Sequence, residues 1–373
     1  MQSLFHIAVD GSFSEMRAHP YDNEDHIQRL LADYPNILGG DAYTGAMPRR
    51  WALISREMPV PDPESSDRRW SLDHLYVDQD AIPTLVEVKR GRDTRSRHEV
   101  VGQMFDYAAN GPALWSLEDL RSSFALTHRG ISEDPAEALT HLLGDDIDVA
   151  TFWERVESDM RDGRIRMIFL VDEMPPELLR IVEFLARQLK DAEVYAVEVR
   201  QHIGSTGSVL ATRVLGQTQN VGAKVARNRD VEEVTEGEWF NRFRQAHGDV
   251  AWQLAQRVAG WAGDRDLKSF TTTAQTPSLG FSVLQQGRDR YPLFITGNGK
   301  IYTSLSYLAG SPTFESDNAR EQVANEFRST GTPFSLTSLM GDIRIPILSL
   351  QDEGKLDAWL DVVGRVVDRM GTG

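Results

Sequence analysis

The chain has no cysteine among its 373 residues. That excludes disulfides, thiol catalysis and cysteine-ligated zinc or iron–sulfur centres. No run approaches the roughly 20 apolar residues of a membrane span, so no membrane partner is expected. The opening MQSLFHIAVDGSF lacks a basic region ahead of a long apolar core. It does not read as a signal peptide, and the expected compartment is the cytoplasm. Positive charge is also scarce: 40 Lys and Arg stand against 56 Asp and Glu, for a net charge of −16. Broad attraction to nucleic acid or anionic membrane is therefore disfavoured, and any nucleic-acid contact needs a local basic patch. Internal repeats and low-complexity tracts are missing too. What remains is the composition of a globular protein, 40% hydrophobic and 26% charged, long enough for two domains.

The pattern along the chain predicts α/β organisation. A small hairpin is expected over residues 3–16 around Asp10-Gly11. A helix starts at Asp22, with Glu24 and Asp25 in its first turn, and stops at Pro35. Glu24 lies in line with the apolar Ile27 and Leu31, an unusual place for an acid. A strand over 51–58 precedes a Pro-containing loop over 59–67. Helix over 99–110, strand over 164–171, helix from Pro175-Pro176, strand over 193–200 and an edge strand over 208–215 complete a first domain, 1–215. Residues 216–238 read as a linker. Residues 239–373 read as a smaller α+β domain, with helices near 239–262, 316–329 and 353–370. Strands are expected between 267 and 308, with a hairpin turn at Gly297-Asn298-Gly299.

The chemistry concentrates between residues 70 and 110. Trp70 to Val77 and Thr84 to Lys89 read as paired strands around the turn residues Asp78, Gln79, Asp80 and Pro83. Asp73 is followed by thirteen residues and then Glu87-Val88-Lys89. Glu87 and Lys89 share a strand face. A turn centred near Ala81 places Asp73 opposite Lys89 on that face. Asp73 and Glu87 are hard oxygen donors suited to Mg²⁺ or Mn²⁺, with the Val88 carbonyl as a further candidate ligand. Lys89 can neutralise charge in a transition state. Val86 and Val88 flank Glu87, so the acid belongs to a central strand and must be compensated or used.

The pattern resembles the PD-(D/E)xK nuclease superfamily, with its restriction-endonuclease-like fold. The residues that carry the likeness are Asp73, Glu87-Val88-Lys89, the basic Arg90-Gly91-Arg92, and Gln103 with Tyr107 on the following helix. Gln103 and Tyr107 match the Q-x-x-x-Y element of RecB-type and NucS-like members. Leu72 stands where the motif's proline would be. The resemblance covers residues 20 to 110, and extends to about 200 by element order. It implies a mixed sheet core flanked by helices. It also implies a metal-dependent endonuclease that hydrolyses phosphodiesters, in DNA ahead of RNA, for repair or defence. The metal ligands would be Asp73, Glu87, Val88 and Glu24, which matches the family's early-helix glutamate. Gln103 and Tyr107 would steady the lysine or substrate, and a homodimer is compatible with it. Arg90, Arg92, Arg95 and Arg97 would hold the phosphate backbone. The alternatives are a non-catalytic nucleic-acid-binding or assembly protein of the same fold, or a metal-dependent hydrolase of another anionic substrate.

Other features read as structural. Glu198-Val199-Arg200 copies the E-x-K spacing without an Asp hairpin before it. Asp172 and Glu173 read as acids at a helix start, and His74 as a sheet-face residue. Trp239, Trp252 and Trp261 are expected in the core of the second domain.

Overall fold

The computed structural model describes residues 4–7, 11–39, 43, 48–61, 68–90, 96–144, 147–205, 207–216, 234–272, 276–336 and 338–371. The chain forms two compact units, Met1–Gly144 with Val149–Asp230, and Asp145–Asp148 with Val231–Gly373. The architecture is mixed α/β: a mixed eight-stranded sheet in the first unit and an antiparallel five-stranded sheet in the second.

The first unit begins with the hairpin β1 (Leu4–Ile7) and β2 (Phe13–Ala18), followed by helix α1 (Glu24–Asp33). Next come β3 (Trp51–Pro61), β4 (Arg68–Asp78) and β5 (Pro83–Lys89), an antiparallel meander. Helices α2 (Ser96–Leu114), α3 (Leu117–Thr127), α4 (Pro135–Leu143) and α5 (Val149–Arg161) lead to β6 (Arg166–Val171). Helix α6 (Pro176–Gln188) then connects to β7 (Glu193–Gly204) and β8 (Gly207–Leu215). Strands β5, β6 and β7 run parallel, which their helical crossovers require. The sheet order is β1-β2-β7-β6-β5-β4-β3, with β8 also on β7. Strand β2 reaches β7 through Arg17↔Ile203 and Ala18↔His202.

Helix α1 packs Ile27 and Leu31 on one sheet face, against Val86, Val88, Ile168, Leu170, Tyr195 and Val197. The intervening residues Leu85, Met167, Phe169 and Ala196 are buried as well. Alternation sends them to the other face, where α2 and α5 meet β5 and α6 meets β7. Burial on both faces explains the nearly continuous apolar runs in β5 and β6.

One difference from the sequence reading concerns β3. The strand continues through Pro59 to Pro61, where a loop was expected. Proline is tolerated because β3 is the sheet edge and its missing N–H interrupts no ladder. Trp115 Nε1 donates to the Pro59 carbonyl at 2.7 Å, and Thr127 Oγ1 to the Ile54 carbonyl at 2.8 Å. Side chains from the helical region thus occupy edge carbonyls of β3.

A buried charge network ties the opposite end of the sheet together, at the starts of the parallel strands. Arg166, fully buried, donates from Nη1 to Asp78 Oδ2 at 2.9 Å and from Nε to Glu193 Oε2 at 2.6 Å. Its guanidinium also lies over the rings of Trp51 and Tyr43, at 5.2 and 5.5 Å. Arg49 pairs with Asp80 and, at 3.4 Å, with Asp78.

In the second unit, helix α7 (Glu236–Gly263) is capped by Thr235, so residues 236–238 are helical and not linker. Residues 217–233 of the expected linker lie outside the described residues. Helix α7 bends at Gly248, where φ is +80°. Strands β9 (Lys268–Thr271), β10 (Leu279–Gln285), β11 (Arg288–Ile295), β12 (Lys300–Ser304) and β13 (Asp342–Pro346) lie in the order β13-β12-β11-β10-β9. Strand β13 was not foreseen. Residues 305–309, foreseen in part as strand, form helix α8 (Leu305–Ala309). The turn through Gly297-Asn298-Gly299 joins β11 to β12, with Gly299 at φ +79°. Helices α9 (Asp317–Arg328) and α10 (Lys355–Gly371) complete the unit, with Trp359 and Trp239 in its core. Trp261 is at the margin of that core, while Trp252 is half-buried and stacks under Arg244 at 4.6 Å.

Candidate active site

The register of β4 and β5 runs from Val77↔Pro83 to His74↔Val86. One step further, Asp73 stands across from Glu87, which corrects the expected Asp73–Lys89 pairing. The cause lies in the turn. Asp78 Oδ1 accepts the N–H groups of Asp80 and Ile82 at 2.9 and 3.0 Å, and Ala81 adopts φ +63°. The turn therefore centres on Asp80. Beyond His74 the paired ladder stops, and the Asp73 carboxylate takes over: its Oδ2 accepts the Val88 N–H at 2.7 Å.

Val86 and Val88 point into the α1 core, so Glu87 and Lys89 point to the other face. Lys89 Nζ lies 2.8 Å from Glu87 Oε1 and 3.8 Å from Glu24 Oε2. Glu24 comes from the first turn of α1, which Asn23 caps by accepting the His26 N–H. Its other oxygen accepts the Arg90 N–H at 3.2 Å. The acid on the apolar stripe thus reaches over the end of β5. Asp73, Glu87, Lys89 and Glu24 converge.

Gln28 was missed. Its Nε2 donates to Asp73 Oδ1 at 2.7 Å, and its Oε1 accepts from Arg56 Nη2 at 3.1 Å. Arg56 is in turn paired with Asp25. His74 Nε2 donates to the Gln28 carbonyl at 2.8 Å, and burial pulls the His74 pKa down to about 4. The only sequence signal for Gln28 was its position four residues after Glu24, on the same helix face. Replacing Gln28 by leucine strips Asp73 of one donor and leaves the Arg56 guanidinium short of an acceptor. An approximately 10- to 100-fold loss of cation affinity or turnover is expected, as for other groups that orient a ligand. A Mn²⁺ titration of the variant checks it.

Helix α2 approaches the acids from their own face. Tyr107 donates to the Ser71 carbonyl at 2.9 Å, bracing β4 two residues before Asp73. Burial, then the charges of Glu87 and Asp73, push its hydroxyl pKa far up. Gln103, one turn earlier, keeps a buried Oε1 with no hydrogen-bond partner. Arg90 Nη1 donates to the Asp22 carbonyl at 3.2 Å and so braces the start of α1. Arg92, Arg95 and the side chain of Arg97 lie outside the described residues.

Burial pushes the Asp73 carboxyl up to about 6, with Lys89 and the Val88 N–H opposing the rise. Burial, then the Asp73 charge, push Glu87 up to about 7 against the pull of Lys89. For Lys89, burial alone would favour the neutral amine, but Glu87, Asp73 and Glu24 outweigh it and raise its pKa, so it stays cationic. Glu87 is 2% exposed, and its Oε2 has no hydrogen-bond partner. Two carboxylates held above their ordinary range, one with an orphaned oxygen, fit a hard divalent cation. Among the described residues, no group of three or more His, Asp or Glu is arranged as a ready metal-binding cluster.

A pH effect follows. Glu87 keeps a proton in the folded protein that the unfolded chain releases near pH 4.5. Its contribution is fully present below that value and is lost as pH rises through about 7. The cation-free Glu87→Gln protein should therefore gain thermal stability relative to wild type between pH 5 and 8, by several degrees on the usual scaling. The comparison cancels the opposing contribution of His74. Added Mn²⁺ should narrow or reverse the gap at pH 8.

Glu198 is a structural acid. It accepts the Met174 N–H at 2.8 Å and pairs with Arg200 and Arg213, at 2.9 and 3.3 Å. Asp172 accepts the Glu173 N–H at 2.9 Å, close ahead of α6. Among the described residues, no helix is long and apolar enough to cross a membrane. Comparison of the chain with protein-family models, curated proteins and solved structures finds no match.

Proposed function

We propose that this chain is a divalent-metal-dependent nuclease that hydrolyses phosphodiester bonds, with DNA ahead of RNA as substrate. The observation that carries the reading is the convergence of Asp73, Glu87, Lys89 and Glu24 where β4 parts from β5. The mixed sheet with helices on both faces supports the finer reading of its fold as restriction-endonuclease-like. Asp73 and Glu87 would hold Mg²⁺ or Mn²⁺, which supplies charge neutralisation at the scissile phosphate and a lower pKa for the attacking water. Lys89 offers a fixed positive charge to the phosphoryl oxygens as they gain charge. Gln28 and the Val88 N–H fix both Asp73 oxygens, so the ligand is oriented before substrate arrives. Tyr107 acts through β4, as a brace.

The test is a panel of single- and double-stranded DNA and RNA, incubated with purified protein in Mg²⁺, Mn²⁺ or chelator. Cation-dependent cleavage that disappears in Asp73→Ala is expected. A non-catalytic binding or assembly protein is the second reading. The lack of a ready three-acid cluster among the described residues favours it. Intact substrates throughout the panel, with nucleic-acid binding retained, would establish it.

A further inference from the structure

The Asp73 carboxylate is held from two directions. The Val88 N–H of the neighbouring strand donates to Oδ2, and Gln28 Nε2, from α1, donates to Oδ1 at 2.7 Å. A glutamine amide has two unlike ends, an acceptor oxygen and a donor NH₂, and a flip exchanges them. Which end meets Asp73 is therefore decided by whatever meets the opposite end. Here that is Arg56 on β3, whose Nη2 donates to Gln28 Oε1 at 3.1 Å. A guanidinium donates and never accepts, so only the oxygen can face it. The NH₂ is left for Asp73. Gln28 is buried, 8% exposed, so a flipped amide has little water to turn to. Arg56 is itself held in place. Its backbone pairs with His74 across β3 and β4, and His74 Nε2 donates to the Gln28 carbonyl at 2.8 Å. Its guanidinium pairs with Asp25, one turn before Gln28 on α1. A line of contacts thus runs Asp25–Arg56–Gln28–Asp73.

We propose that Arg56 is a positioning residue of this site: it sets the polarity of the Gln28 amide and thereby presents a donor, and not an acceptor, to Asp73. For its effect on turnover the inference rests on the nuclease reading, in which Asp73 is a working residue. Without Arg56 both orientations of the amide are open. In the flipped one, Gln28 Oε1 meets Asp73 Oδ1, and two acceptors at that distance repel. Asp73 then loses the group that orients Oδ1 although Gln28 is intact. Arg56 acts on Asp73 through the amide.

The experiment takes the full chain as wild type, Arg56→Lys, Arg56→Met, Arg56→Gln, Gln28→Leu, and Arg56→Met combined with Gln28→Leu. Two quantities are read: the NMR signals of the Gln28 side-chain NH₂ in cation-free protein, identified by their loss in Gln28→Leu, and the rate of cation-dependent cleavage. In wild type the NH₂ signals should be those of an amide bound to a carboxylate. Arg56→Met and Arg56→Gln should both shift them towards a free amide, the second because a glutamine can accept as well as donate. Arg56→Lys should keep them, since an ammonium also only donates. The cleavage rate should fall about tenfold in Arg56→Met. It should fall no further in the double variant than in Gln28→Leu alone, because residues that act through one another are not additive. Unchanged NH₂ signals in Arg56→Met and Arg56→Gln, or additive losses in the double variant, overturn the role of Arg56. A wild type that cleaves nothing overturns the nuclease reading, and the NH₂ signals still decide whether Arg56 sets the amide.

Discussion

Lys89→Ala is expected to lower the rate of cation-dependent cleavage by about 10²- to 10³-fold, the usual effect of removing one positioned charge-stabilising group. The variant should keep its fold, because Lys89 is only partly buried. Its cation affinity should hold or rise. In the wild type, the Lys89 ammonium occupies Glu87 Oε1 at 2.8 Å, and a cation must share that carboxylate with it. Without the lysine, Glu87 and Asp73 face a divalent ion with no competing positive charge. Binding and turnover should therefore move apart in this variant, whereas both should fall in Asp73→Ala. Rates on a fixed DNA substrate, beside a Mn²⁺ titration of the same preparations, separate the two patterns. Undiminished cleavage by Lys89→Ala would remove the lysine from the chemistry.

The second large effect is on stability. Arg166→Leu leaves Glu193 without its cation and Asp78 with only the more distant Arg49. Breaking a buried pair by removing one partner destabilises by about 3–5 kcal/mol. A domain's whole stability is on the order of 5–15 kcal/mol. The N-terminal unit should melt far lower, or fail to fold at 37 °C. Leucine also loses the stacking of the guanidinium on Trp51 and Tyr43. Arg166→Met combined with Glu193→Leu should recover part of the loss, since it removes the stranded charge as well. Circular-dichroism melts of the single and double variants measure this. A double variant no more stable than the single one would mean that packing, and not charge, holds that end of the sheet.

The sequence carried much of this site and little of its support. Alternation around Val86 and Val88 placed Glu87 on a central strand, and the misplaced acid in the α1 stripe pointed to Glu24. The register was not legible, because it depends on the Asp78 carboxylate bonding to the N–H groups of Asp80 and Ile82. Nothing in the residue pattern separates that turn from one centred a residue later. Gln28 and Arg56 looked like ordinary polar positions, since only the approach of α1 to β4 gives them partners. The prolines of β3 signalled a loop, because edge position is a property of the whole sheet. The role of Arg166 depends on Glu193 and Asp78, 27 and 88 residues away in sequence. Fold class was legible because strand and helix periods are local.

The pairing of Ala18 with His202 carries a consequence for how the candidate site is assembled. Asp73, Glu87 and Lys89 belong to the β3–β5 meander, whose antiparallel contacts are short in sequence and close quickly. The parallel neighbour of β5 is β6, and the N-terminal hairpin waits for β7. Contacts of such long sequence separation form late. A ribosome must therefore release about 200 residues, counted from that register, before the sheet can close. Until then the meander exposes Glu87 to water and leaves its carboxyl near an ordinary acid. The cation capture proposed for the buried pair would thus belong to the finished domain, and a nascent fragment ending after Lys89 would carry the motif without its buried setting.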